Sequence, residues 1–178
     1  MKIGLQVPIF KARPILSTFH AFIFFGFSYY LLVNLNDLLE GFWPGWVTAT
    51  VSSFPIGPLN LLADLSSVGV LAGVTFFLVR RFITGDKRLA FNSGVLLNPD
   101  VAKRAVKRDS LIVGGFIMAH VGSRFAGQAL RLAQAGEFNL MQPFASGFSF
   151  LLRPLPPAML NTLVHVTWWL AIGLIVVF

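Results

Sequence analysis

The chain contains no cysteine. On its own side chains it therefore holds no disulfide, thiolate zinc site, c-type haem linkage or iron–sulfur cluster, and any redox centre must use other ligands. Charge is scarce as well. Only 12% of the 178 residues are Asp, Glu, Lys or Arg, against about 25% in soluble domains. Acidic residues are the scarcer sign, 7 against 14 basic ones. There is no phosphate-cradling glycine loop, no nucleophile constellation and no metal-ligand spacing, so nucleotide-dependent and hydrolytic chemistry within this chain is not expected.

What is abundant is apolar: 56% of the residues are hydrophobic, Phe occurs 19 times and the mean hydropathy is +0.75. Four runs, 14–35, 59–79, 110–130 and 158–178, each reach the roughly 20 residues that a helix needs to cross about 30 Å of hydrocarbon. The expected fold is all-α, an integral-membrane four-helix bundle forming a single domain over 1–178. The first run is too long for a signal peptide and is followed by Asn36-Asp37-Leu38-Leu39-Glu40 without a small-residue cleavage pattern, so it is expected to remain as an anchor.

Charge sets the expected orientation. Between the second and third runs, residues 80–108 carry eight basic and two acidic side chains, a net +6 of the chain's +7. The N-terminal arm adds Lys2, Lys11 and Arg13, whereas the first connection has Asp37 and Glu40. By the positive-inside rule both termini and the basic loop lie on the cytoplasmic side, which predicts a multi-pass protein of the cell inner membrane. Basic residues beside membrane spans answer to topology and anionic lipid, and no nucleic-acid partner is expected. Asn98-Pro99-Asp100 reads as an N-cap with Pro at the first helical position, so a basic helix is expected to run into the third span. Trp43-Pro44-Gly45-Trp46 reads as a turn in the aromatic belt. Leu140, Phe144, Phe148 and Leu151 recur at helical spacing, which predicts an interfacial helix between spans three and four, broken by Arg153-Pro154-Leu155-Pro156-Pro157.

Ionisable groups inside a bilayer cost about 2.5 to 3.5 kcal/mol on insertion scales and usually face a partner, cofactor or cavity. Here they are His20, Asp64, His120, Arg124 and His165. Bis-histidine haem b needs two neutral imidazoles at similar depth on different helices. Counted from the inner span ends, His120 lies roughly 15 Å deep, His165 roughly 20 Å and His20 roughly 9 Å. His120 and His165 are thus candidate axial ligands to haem iron. Arg124, one turn outward of His120 on a stripe continued by Gln128, is a candidate for a propionate. Alternatively, the small residues Gly114, Gly115, Gly122, Ser123 and Gly127 permit close helix packing and the histidines bond to neighbouring helices. Asp64 and Arg124, roughly 8 and 9 Å from the outer ends of their spans, are candidates for an intramembrane ion pair or for a pocket that takes a quinone head group.

The run Lys11-Ala12-Arg13-Pro14 leading into Phe19-His20-Ala21-Phe22-Ile23-Phe24-Phe25-Gly26-Phe27 resembles the first helix of a membrane domain. That domain is the cytochrome-b-like one, related to the nitrate reductase gamma subunit, of heterodisulfide-reductase-like iron–sulfur oxidoreductases. Asp64 through Arg80-Arg81, the entry to the third helix at Asp109, and Trp168-Trp169-Leu170 agree with it. The resemblance implies haem b, exchange of electrons with the quinone pool, and a cytoplasmic iron–sulfur subunit or domain as partner. Relatives often carry His after Trp-Trp-Leu, where this chain has Ala171. His20 then becomes a quinone-pocket residue or the remnant of a second haem site. The cysteine-bound clusters would belong to a continuation past Phe178 or to a separate subunit.

Two functions follow as expectations. One is a membrane electron-transfer subunit, part of a quinone-linked oxidoreductase, that passes electrons between iron–sulfur modules and quinone through haem b. The other is a haem-free membrane anchor or accessory subunit of a larger respiratory or photosynthetic complex.

Overall fold

The computed structural model describes residues 11, 13–43, 45, 56–84 and 106–177. These residues form five α-helices and no strand: α1 Pro14–Phe42, α2 Ile56–Phe82, α3 Val106–Ala135, α4 Pro143–Leu152 and α5 Pro157–Val177. The helix predicted from Asn98-Pro99-Asp100, the arm residue Lys2 and most of the basic loop lie outside the described residues.

Three helices, α1 over Pro14–Leu35, α2 over Pro58–Phe82 and α5 over Pro157–Val177, are long and apolar enough to cross a membrane. This is the signature of a membrane protein. Large apolar side chains are exposed on these helices, among them Phe24, Phe25, Leu32, Trp169 and Val177. Such a surface suits lipid and not water. The fourth long helix, α3, has 30 residues and therefore runs about 45 Å. It is less apolar because His120, Ser123, Arg124 and Gln128 fall within it. Helix α1 is longer than its apolar run, since Asn36 to Gly41, read from sequence as a connection, continue the helix to Phe42.

Packing runs α1 on α2, α2 on α3 and α3 on α5, with α4 laid against α3 and α2. Tyr30, Val70, Val74 and Val121 form the core between the first three. The α1–α2 contact depends on close backbone approach: a Cβ on Gly73 would lie 3.1 Å from the carbonyl oxygen of Phe19. Between α3 and α5, Gly127 does similar work, because a Cβ there would lie 2.9 Å from Thr167 Oγ1.

Helix α3 stops at Gly136, whose φ of +71° is a left-handed C-terminal position that glycine adopts without a Cβ penalty. Its N–H reaches back to the carbonyls of Leu132 and Ala133. Helix α4 then begins with Pro143 in its first turn and a Gln142 cap residue that makes no side-chain cap bond. Of the predicted stripe, Phe144, Phe148 and Leu151 are exposed on α4, whereas Leu140 lies in the turn before the helix begins. On the other side Ala145, Ser146 and Ser149 are fully buried. After Leu152 the chain turns into α5, with the Arg153 guanidinium donating to Glu137 O at 3.1 Å and lying 4.1 Å over the Phe150 ring.

Candidate functional site

The polar residues of α3 meet polar residues of α1 deep in the bundle. Arg124 Nη1 donates to Asn34 Oδ1 at 3.0 Å. The other end of that amide, Asn34 Nδ2, lies 3.4 Å from His120 Nε2. His120 Nδ1 lies 3.1 Å from the carbonyl oxygen of Ala171 on α5. An amide N–H donates and a backbone carbonyl accepts, so the chain has one consistent direction. Arg124 gives to Asn34, Asn34 gives to His120, and His120, neutral with its proton on Nδ1, gives to Ala171.

Aromatic rings seal this chain. Phe116 stacks parallel on the His120 imidazole at 6.0 Å, and Tyr30 approaches it edge-on at 6.5 Å. The Arg124 guanidinium lies 5.8 Å over the Tyr30 ring, an arrangement in which the ring face attracts the cation. The Tyr30 hydroxyl bonds to Ser67 Oγ, and since Ser67 donates onward to Ala63 O, the tyrosine is the donor. Only 2% of His120 is exposed.

Asp64 is almost fully buried at 4% exposure, and its carboxylate serves a different element. Its Oδ2 accepts from the Phe144 N–H at 2.7 Å and its Oδ1 from the Ala145 N–H at 3.0 Å. These are two of the N–H groups that a helix start leaves without an internal partner. Asp64 therefore caps α4 from another helix, where Gln142 does not cap it locally, and its charge suits the positive end of the helix dipole. Gln142 is turned to other use: its Oε1 accepts from Gln128 Nε2 at 2.9 Å, tying α3 to the start of α4.

The structure does not bring the other two histidines to this centre. His165 is exposed on α5, and the α5 residue beside His120 is Ala171, six positions or about 9 Å farther along the axis. The similar depths counted from span ends assumed that the two helices start at a common plane; their actual register differs. His20 is exposed near the start of α1 and meets the edge of Phe77 at 6.4 Å. A bis-histidine haem needs a bare imidazole nitrogen from each of two facing residues. With both nitrogens of His120 engaged and His165 turned outward, the present arrangement of this pair does not fit that ligand set.

A groove of about 860 Å³ opens between α1, α3 and α5. Its polar wall contains Asn34, Ser123, Arg124, Gln128, Arg131 and Thr167, and the rest is mostly apolar. Asn34 carries no charge and Tyr30 is neutral with a largely apolar ring, so neither stands out among the charged and imidazole side chains of the apolar runs. A lone Asn within a run of Leu, Val and Tyr was the available signal, since an unpaired amide in hydrocarbon is costly too.

No protein-family model matches the chain, no curated protein matches its sequence, and no solved structure matches its fold.

Proposed function

We propose that this chain is a haem-free membrane subunit of a larger assembly: a four-span bundle with both ends cytoplasmic and α4 along the outer interface of the inner membrane. The observation that carries this reading is the closure of the α3 polar stripe on protein partners. Arg124, Asn34 and His120 use their hydrogen-bonding groups to hold α1, α3 and α5 together, which is what polar residues do between packed membrane helices. That α3 crosses the membrane is supported by its packing between α2 and α5, both long apolar helices. The exposed aromatic faces of α1 and α5 supply area for neighbouring subunits as well as lipid.

The test is a reduced-minus-oxidised optical spectrum of the assembly purified through a tag on this chain. No low-spin b band should depend on this subunit, and His120→Ala should lower stability without removing one. A b band lost in His120→Ala would overturn the reading.

A second reading, electron transfer to quinone alongside a cytoplasmic iron–sulfur partner, is favoured by one feature. Asn34, Arg124 and Gln128 stand on the wall of a groove whose lining is otherwise mostly apolar, where a quinone carbonyl could accept a hydrogen bond. Quinone-dependent turnover of the assembly that falls in Gln128→Leu would support it.

A further inference from the structure

We infer that the groove between α1, α3 and α5 seats one anionic phospholipid, its phosphate at Arg131 and an acyl chain along α5. The inference rests on the reading of this chain as membrane-spanning and adds the identity of a ligand to it.

Two apolar stripes face each other across the groove. On α5 they are Val164, Trp168, Ile172 and Ile175, at intervals of four, four and three residues, and on α1 Leu31, Leu35 and Phe42. Such intervals keep each set on one side of its helix. From Val164 to Val176, the last lining residue of α5, is twelve residues or about 18 Å. One leaflet of the hydrocarbon core is about 15 Å, half of the roughly 30 Å total. The groove is therefore long enough for one extended acyl chain.

Charge selects the head group. Arg131 is exposed, lines the groove and sits four residues before the end of α3, so its long stem can carry the guanidinium to the head-group level. Arg124 lies two turns deeper on the same side of α3, and no acidic side chain is among the described residues lining the groove. A guanidinium fork matches a phosphate in two parallel hydrogen bonds, which a neutral quinone ring does not offer. The second reading above and this inference compete for the same space, and one experiment separates them.

The full chain is to be reconstituted in nanodiscs of phosphatidylcholine with phosphatidylglycerol, partially delipidated, and the retained lipids weighed by native mass spectrometry. Phosphatidylglycerol should be retained over phosphatidylcholine by about fivefold, the preference expected for one basic side chain near the membrane surface. Arg131→Gln should abolish that preference, Arg131→Lys should keep most of it, and Ile172→Trp, which fills the groove, should remove both lipids. Circular dichroism of each variant checks that helix content is unchanged. Equal retention of the two lipids, a preference unchanged in Arg131→Gln, or displacement of phosphatidylglycerol by menaquinone would overturn the proposal. A chain that fails to enter nanodiscs at all would instead overturn the membrane-spanning reading on which it rests.

Discussion

Two groups that are expensive in a membrane, the Arg124 guanidinium and the His120 imidazole, share one small side chain. Asn34 accepts from the first with its oxygen and faces the second with its nitrogen. Replacing it with Leu leaves its contact with each of them unmade, and an unmade buried hydrogen bond costs about 1 to 3 kcal/mol. Asn34→Leu should therefore lower the thermal unfolding midpoint of the detergent-solubilised chain clearly. Asn34→Asp should behave differently: the carboxylate still accepts from Arg124 but has no N–H to offer His120 Nε2. Its effect should depend on pH, easing as acid protonates either the new carboxylate or the imidazole, whereas the Leu variant should show no such relief. At this scale the sequence was half legible. His120 and Arg124 stood out by charge, but their partners are an amide and a backbone carbonyl, and neither carries a spacing signal.

Helix α4 was legible as an element, from large apolar residues at intervals of four and three, and its docking was not. What holds its start is a carboxylate on α2, eighty positions earlier in the chain, bonding to backbone N–H groups, which every residue except proline has. Losing a helix cap costs about 0.5 to 2 kcal/mol. In Asp64→Ala the Phe144 and Ala145 amides should exchange with solvent deuterium markedly faster while α2 and α5 amides keep their protection. Asp64→Asn retains one acceptor oxygen and should fall between. The α3–α5 pair makes a second test. Gly127→Val places atoms where Thr167 Oγ1 already stands, and such overpacking costs about 1 to 3 kcal/mol. Thr167→Ala in the same chain should restore part of the loss, which a general helix-propensity effect would not allow.

For the whole molecule, the apolar runs located the long helices well because hydropathy needs no knowledge of neighbours. The first run, 14–35, coincides with the apolar part of α1. Register was not legible, because counting residues from span ends treats helices of 30 and 21 residues as if they started level. The sequence-derived orientation has a direct check at the end of α2. Ile83 and Thr84 are exposed just beyond Arg80-Arg81, and the chain has no native cysteine to interfere. Thr84→Cys should resist an impermeant maleimide added to intact cells and react once the membrane is opened. Labelling before opening would reverse the assigned topology.

The cap on α4 also bears on the timing of assembly. A ten-residue helix is marginal when isolated, since few of its hydrogen bonds repay the cost of nucleation. Its acceptor, Asp64, belongs to a segment synthesised earlier, so the carboxylate is already available when residues 143–152 leave the ribosome. Helix α4 can thus form against a waiting partner as α3 packs beside α2. A chain in which α2 were supplied late, as a separate fragment, should present the 143–152 segment to proteases until that fragment arrives.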